Sequence, residues 1–228
     1  MLRLAAIAAV TAAAAGFAFA APGNRLPQAN TATPVEHPPP VRRPPAPRTP
    51  LRVTFIGDSV PDEISYVVAA QALLRQGVHI DLQLAACRRL VEPSCTVAGV
   101  TPPTALDLIE SLGHRLGPVV VIGVGYNDWQ LVYPRDTRLV LAALREAGVQ
   151  HVLWLTLREA RHSYIPMDAD IRRLAASNPD VTVVDWNRYS RSHPDWFGPE
   201  GLHLSVAGAT AMATLLHKTL VSLRIASS

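Results

Sequence analysis

From residue 51 onward, short aliphatic runs alternate with longer amphipathic ones, and this alternation restricts the fold more than any other feature of the sequence. "LRVTFIG" (51–57), "VHIDLQLA" (78–85), "PVVVIGVG" (118–125), "VQHVLWLTL" (149–157) and "VTVVDW" (181–186) have strand length and are rich in β-branched and aliphatic residues. Helical patterns follow them over 64–77, 102–117, 135–148, 166–179 and 205–223. Local punctuation agrees. Gly77 ends the first helix, prolines suit the first turns of the second and fourth, and Ser205 caps the last. The run at 118–125 is apolar throughout, as a central strand buried on both faces must be. Five strands, each followed by a crossover, imply a parallel sheet with helices on both sides. The expected fold class is α/β: a three-layer α/β/α sandwich on a five-stranded parallel, flavodoxin-like sheet.

The segments before residue 51 have a different character. "MLRLAAIAAVTAAAAGFAFA" (1–20) has one arginine, an apolar run and the small-residue spacing Ala18-Phe19-Ala20, which predicts a secretory signal peptide. No other stretch is expected to span a bilayer, so the mature protein is expected to be exported without an integral membrane segment. Residues 21–50 hold ten of the twenty prolines and read as an extended, solvated linker. Residues 51–228 then form one domain of ordinary size. The linker carries Arg25, Arg42, Arg43 and Arg48 against Glu36, a net of +3, whereas residues 51–228 have sixteen basic and seventeen acidic side chains, a net of −1. The high pI therefore belongs to the leader and linker and not to the domain, which argues against nucleic acid as a partner. The basic linker is either a solvated spacer or a contact with an anionic cell envelope. Cys87 and Cys95, close together in "AACRRLVEPSC" of an exported chain, predict a disulfide. Closing so short a loop contributes roughly 2–3 kcal/mol and holds the segment after the second strand in one shape.

In sheets of this kind ligands bind beyond the carboxyl ends of the strands. That edge receives Ser59 of "FIGDSVPDEI", the loop starting at Gly125, and the loop after strand five. A serine hydroxyl becomes a useful nucleophile only when a base takes its proton, and that base is usually a histidine oriented by an acid. Of the eight histidines, two have an acid three residues earlier: His162 with Glu159, and His203 with Glu200. His203 is preferred, because Gly198, Pro199 and Gly201 fix its loop and Leu202, Leu204 and Val206 can anchor it. Asn127, in "GVGYNDW", follows glycines that allow a sharp turn off the central strand, and its amide can donate to an oxyanion. Losing one such donor costs about 2.7–4 kcal/mol of transition-state stabilisation. Tyr126, Trp129 and Trp196 are candidates for substrate contact, with Tyr133, Trp186 and Phe197 as further pocket lining, while Trp154 belongs to the core. Arg88 and Arg89 are either a solvated pair or a contact for an acidic substrate. No His/Cys/Asp cluster suits a metal and no glycine-rich phosphate loop is present, so no cofactor or metal is expected.

"GDSV" after strand one, "GYND" after strand three and the histidine of "GLHLSVAG" before the last helix resemble the SGNH (GDSL-type) hydrolase superfamily. The resemblance covers essentially all of 51–228. Through "CRRL…SC", "GYNDW" and "DWNRYSRSHPDWF" it extends to an exported, actinobacterial-like branch. It implies Ser59 as nucleophile, His203 as general base, the Ser59 amide and Asn127 as oxyanion donors, and Asp58 as support for the turn. Two departures stand out. Glu200 occupies the place of the family's usual aspartate, with Asp195 or a bare Ser-His dyad as alternatives. The family's glycine after strand two is also missing, leaving the amide of Ala86 or of Cys87 as the third donor. The expected function is a secreted serine esterase that cleaves carboxylic esters of a small molecule or glycan through an acyl-enzyme. O-acyl transfer to a sugar hydroxyl would use the same groups, and an envelope-associated binding module with weak catalysis is the alternative from another class.

Overall fold

β1 (Leu51–Gly57) buries Val53, Phe55 and Ile56 completely or nearly so, as expected of a strand covered on both faces. The computed structural model describes residues 50–160 and 162–226; the expected signal peptide and nearly all of the expected linker lie outside the described residues. β1 pairs in parallel with β2 (Val78–Leu84) on one side and β3 (Val119–Gly123) on the other, with Gly57 opposite both Leu84 and Gly123. β4 (His151–Leu155) and β5 (Val181–Val184) complete a parallel sheet of order β2-β1-β3-β4-β5. This is the flavodoxin-like order, and its winding reverses between β1 and β3, where such sheets bind ligands.

After β1 come α1 (Ser59–Asp62), a 3-10 turn (Glu63–Tyr66) and α2 (Val68–Leu74); α3 (Ala105–Leu112), α4 (Tyr133–Glu146) and α5 (Ile165–Ala176) follow β2, β3 and β4. After β5 come α6 (Trp186–Ser190), a 3-10 turn (Pro194–Trp196) and α7 (Val206–Ala226). Side chains alternate across the sheet. Phe55, Val121 and Leu153 meet Leu74 of α2 and Met212 and Leu216 of α7 on one face. Ile56, Ile122 and Trp154 meet Ile109 of α3, Leu144 of α4 and Ile171 of α5 on the other. These are the expected three layers, with each large apolar side chain contributing about 1.5–3 kcal/mol by burial.

Several boundaries differ from the sequence expectation. The helix expected over 64–77 breaks at Val67, which is extended with φ −110° and ψ 98°. The helix expected from residue 102 starts at Ala105, because Thr104 and Asp107 form a reciprocal capping box and Pro102 and Pro103 precede it. α6 was not expected; Asp185 accepts from the Arg188 amide and turns the chain into a helix immediately after β5. Residues 206–223 of α7 are long and apolar enough to cross a bilayer, contrary to the expectation that only the leader is. Ala209, Met212, Ala213, Leu216 and Leu220 of that helix nevertheless pack into the core. Ser205 caps it as expected, its hydroxyl accepting from the Gly208 amide at 3.2 Å.

Gly208 is where α7 meets the segment before the final loop. A Cβ there would lie 1.9 Å from the backbone oxygen of Trp196. Gly208→Ala should therefore push the two segments apart and lower stability by about 1–3 kcal/mol or more, read as a fall in the urea midpoint at unchanged m-value.

Candidate active site

Ser59 is the first residue of α1, and Asp58 is its N-cap. The Asp58 carboxylate accepts from the Val60 amide at 3.1 Å, and its other oxygen from the amides of Gly125 at 3.0 Å and Tyr126 at 3.1 Å. Its own amide donates to Gly123 O at 3.1 Å, so the turn after β1 is tied to the end of β3 through both backbone and side chain. Asp58 thus braces the turn, as the sequence resemblance implied. Burial pushes its pKa up to about 7, with the charge of Asp128 adding to the rise and the three amides opposing it. Gly57 makes the tight turn feasible, since a Cβ there would lie 2.5 Å from Pro61 Cγ and 2.7 Å from Leu84 Cδ2.

His203 reaches Ser59 from the loop before α7. Its Nε2 lies 3.1 Å from Ser59 Oγ, and its Nδ1 lies 3.1 Å from Glu200 Oε1. The same Glu200 oxygen accepts from the His203 amide at 2.9 Å. Backbone amides, first its own and then that of His203, hold the Glu200 carboxyl below its usual range. An ionised Glu200 requires the proton on Nδ1, which leaves Nε2 as an acceptor facing the serine hydroxyl. The loop is pinned by Gly198 N donating to His203 O and Gly201 N donating to Gly198 O, both at 2.8 Å, and by an antiparallel bridge between Phe197 and Leu204. Leu204 is buried and Leu202 packs against the core, but the third expected anchor, Val206, is 69% exposed. Gly198 makes room for the longer acid: a Cβ there would lie 2.8 Å from Glu200 Oε2.

Neither of the other candidate acids bonds to His203. Asp195 is exposed, and its carbonyl accepts from Ser205 Oγ at 3.0 Å. Glu159 accepts from the Tyr164 amide at 2.6 Å, and His162 is exposed, so that pair forms no dyad.

The loop after β2 faces the same lip. A turn closes from Arg88 N to Ala85 O at 3.3 Å, and Cys87 sits in it at φ 66°, a conformation ordinarily taken by glycine. The disulfide Cys87–Cys95 is present. Neither the Ala86 nor the Cys87 amide donates to a partner among the described residues. Asn127 Nδ2 donates to Arg88 O at 3.3 Å, bringing the loops after β2 and β3 together. The glycines before Asn127 serve close approach rather than an unusual turn. Neither has a positive φ, and a Cβ on Gly125 would lie 2.7 Å from Leu157 Cδ1, while one on Gly123 would lie 3.0 Å from Phe55 Cε2. Asp128 accepts from the Leu90 amide at 3.0 Å, and burial raises its pKa to about 6.

Arg88 and Arg89 are neither a solvated pair nor exposed to substrate; both are buried. Arg88 Nη1 donates to Gly57 O at 3.1 Å and also to Gln83 O, while its Nε donates to Pro103 O at 3.0 Å. It satisfies carbonyls at the ends of β1 and β2, a role without a periodic signal in sequence. Arg89 lies 3.9 Å from Asp128 and 5.5 Å from the centre of the Trp129 ring.

The aromatic candidates separate by burial. Trp129 is 69% exposed, whereas Tyr126 and Trp196 are half-buried. The Tyr126 hydroxyl accepts from the Arg158 amide at 2.7 Å, and Trp196 stacks on His193 with ring centres 3.8 Å apart. Tyr133, Trp186 and Phe197 are buried in the core and line no open surface, because Tyr133 bonds to Val124 O and the other two pack beneath the final loop. Trp154 is core, as expected. Among the described residues no group of three acids, histidines or cysteines is placed to hold a metal.

No family model matches the chain. The O-acetyltransferase OatA of Staphylococcus aureus is 38% identical over 106 residues, which cover 46% of this chain and 17% of that protein. The peptidoglycan O-acetyltransferase OatA of Listeria monocytogenes is 50% identical over 42 residues, 18% of this chain and 7% of that one. The match therefore spans less than a fifth of the length of either relative. Among solved structures, a carbohydrate acetylesterase family member from Sinorhizobium meliloti superimposes with a TM-score of 0.58 at 15% identity, over 75% of this chain and 98% of that one. The chain thus shares its fold with this acetylesterase, in line with the resemblance of its motifs to the SGNH (GDSL-type) hydrolase superfamily.

Proposed function

We propose that the protein is an exported serine esterase of the SGNH type that acts on O-acyl, in particular O-acetyl, esters through an acyl-enzyme on Ser59. The observation that carries this reading is the unbroken hydrogen-bonded line Glu200–His203–Ser59, with 3.1 Å at each side-chain step. In the first half-reaction Ser59 Oγ attacks the ester carbonyl carbon while His203 Nε2 takes its proton. The negative charge on the carbonyl oxygen is met by the Ser59 amide, which as the first helical residue has no acceptor in its own helix, by Asn127 Nδ2, and by the Ala86 or Cys87 amide. Asn127 exchanges its bond to Arg88 O for one to the oxyanion. Collapse breaks the bond to the leaving alkoxide, which receives the proton from His203. Water then gives a proton to Nε2 as it attacks the acyl carbon; collapse breaks the bond from that carbon to Ser59 Oγ, which takes the proton back from His203 as the acid leaves.

Acyl transfer differs only in the last acceptor, a sugar hydroxyl in place of water, and the similarity to the two O-acetyltransferases favours this second reading. The exposed Trp129 is suited to stacking on a sugar ring. The disulfide, the leader-like residues 1–20 and the proline-rich 21–50 support an extracytoplasmic location, with 51–228 as the working domain.

Ser59→Ala and His203→Ala should each lower turnover of a short-chain p-nitrophenyl ester by at least about 10³-fold and abolish fluorophosphonate labelling. A wild-type protein that is neither labelled nor active would instead be a binding module. Glu200→Gln should cost about 10²–10⁴-fold in kcat with the thermal midpoint little changed; an undiminished rate would remove Glu200 from the mechanism. Adding a sugar acceptor and following acylated sugar against free acid separates transfer from hydrolysis.

The turn at Cys87 gives a sharper test of the donor loop. Cys87→Gly with Cys95→Ala keeps a residue at ease at positive φ, whereas Cys87→Ala with Cys95→Ala does not. The glycine pair should retain more of the wild-type kcat than the alanine pair, by roughly 3–10-fold, the equivalent of about 1 kcal/mol of backbone strain. Equal rates would mean that the conformation of residue 87 does not matter to the site.

A further inference from the structure

Beyond the carboxyl ends of β4 and β5 lies an open groove of about 610 Å³, bordered by Arg158, Arg172, Arg188 and Arg191 together with Glu159 and Asp185. Four guanidinium groups stand against the carboxyl groups of Glu159, Asp185 and the buried Asp168, which lies beside Arg172 and accepts from Asn187. All three acids are already engaged, and Arg158 Nη1 donates to Ser190 O at 2.6 Å. Glu159 accepts from the Tyr164 amide. Asp185 accepts from Thr156 Oγ1 and the Arg188 amide, and its other oxygen pairs with Arg172 at 2.8 Å. Arg188 and Arg191 are exposed, and among the described residues no carboxylate pairs with either guanidinium. This excess is local, since residues 51–228 have one more acidic than basic side chain. A concentrated cationic groove on a nearly neutral domain is suited to one oriented anionic group rather than to a long polyanion spread over the surface.

The groove shares its wall with the candidate active site. The Arg158 guanidinium lies 3.8 Å from the centre of the Phe197 ring, and Phe197 directly precedes the glycine whose amide holds His203 O. The Arg158 amide donates to the Tyr126 hydroxyl, and the Tyr126 amide donates to Asp58 beside Ser59. Arginine presents a planar fork that matches two oxygens of a carboxylate or phosphate.

We infer that this groove is a subsite for an anionic group, a carboxylate or a phosphate, carried by the glycan whose ester is presented to Ser59. The inference deepens the proposed function and rests on it for the ester, but the binding of the anion is separable from the chemistry. Three soluble probes distinguish the sources: trigalacturonate for carboxylate, a trimer of glycerol phosphate for phosphate, and maltotriose as the neutral control. Titration calorimetry on the wild-type protein should show one anionic probe bound on the order of tenfold or more tightly than maltotriose, an advantage that shrinks with added salt. Arg188→Gln combined with Arg191→Gln should abolish the advantage while turnover of p-nitrophenyl acetate stays unchanged, and Arg191→Gln alone should move affinity in the same direction. Anionic probes that bind no better than maltotriose, or an advantage that survives the double substitution, would overturn the subsite. An anion preference lost in the double variant, in a protein that never turns over p-nitrophenyl acetate, would uphold the groove as an anion site and sink the esterase reading alone.

Discussion

Asp58 accepts hydrogen bonds from three backbone amides, one in the helix that begins with Ser59 and two in the loop that leads to Asn127. The two loops leave neighbouring strands, and nothing in strand pairing alone would hold them at a fixed separation once the ladder ends at Gly57 and Gly123. The carboxylate continues the pairing past the sheet. It is fully buried, and burial raises its pKa to about 7, so the site is built on a costly group that its partners must satisfy. Wherever Ser59 stands relative to Asn127 follows from that brace.

Two residues depart from the usual pattern of the superfamily that the chain resembles, and in each case neighbouring structure accommodates the change. Glu200 is one methylene longer than aspartate, and Gly198 leaves open the space that its carboxylate occupies. Cys87 adopts the left-handed conformation that favours glycine and is cross-linked to Cys95. Acid and glycine on one loop, cysteine and disulfide on the other, act as matched pairs. Exchanging one member alone would be expected to disturb the geometry more than exchanging both.

The layers were legible because hydrophobic periodicity reports burial directly, as Val119–Gly123 shows by being apolar without interruption, whereas the strand order came only with the flavodoxin-like type that the resemblance implied. The pairing of His203 with Ser59 was legible because an acid three residues away and a glycine-fixed loop are local features. Less legible were the features set by tertiary contact. The break at Val67 and the switch of Pro102 and Pro103 from helix to cap depend on which side chain finds a partner, and composition does not show this. Tyr133, Trp186 and Phe197 resembled pocket residues only because an aromatic ring reads alike in a core and at a rim. The purpose of Gly123 and Gly125 could not be inferred from their neighbours in sequence either, since the side chains they admit, Phe55 and Leu157, come from other strands and loops.

Arg88 has a consequence of its own. Backbone carbonyl oxygens at the carboxyl edge of the sheet place partial negative charge there. The guanidinium of Arg88, bound to Gly57 O, Gln83 O and Pro103 O, counters that tendency with a fixed cation. Its desolvation is met once, when the chain folds, and no solvent needs to reorient around it later. The lip thus holds a fixed cation beneath its backbone, set against the carboxyl groups of Asp58 and Asp62, independent of what any mobile side chain does.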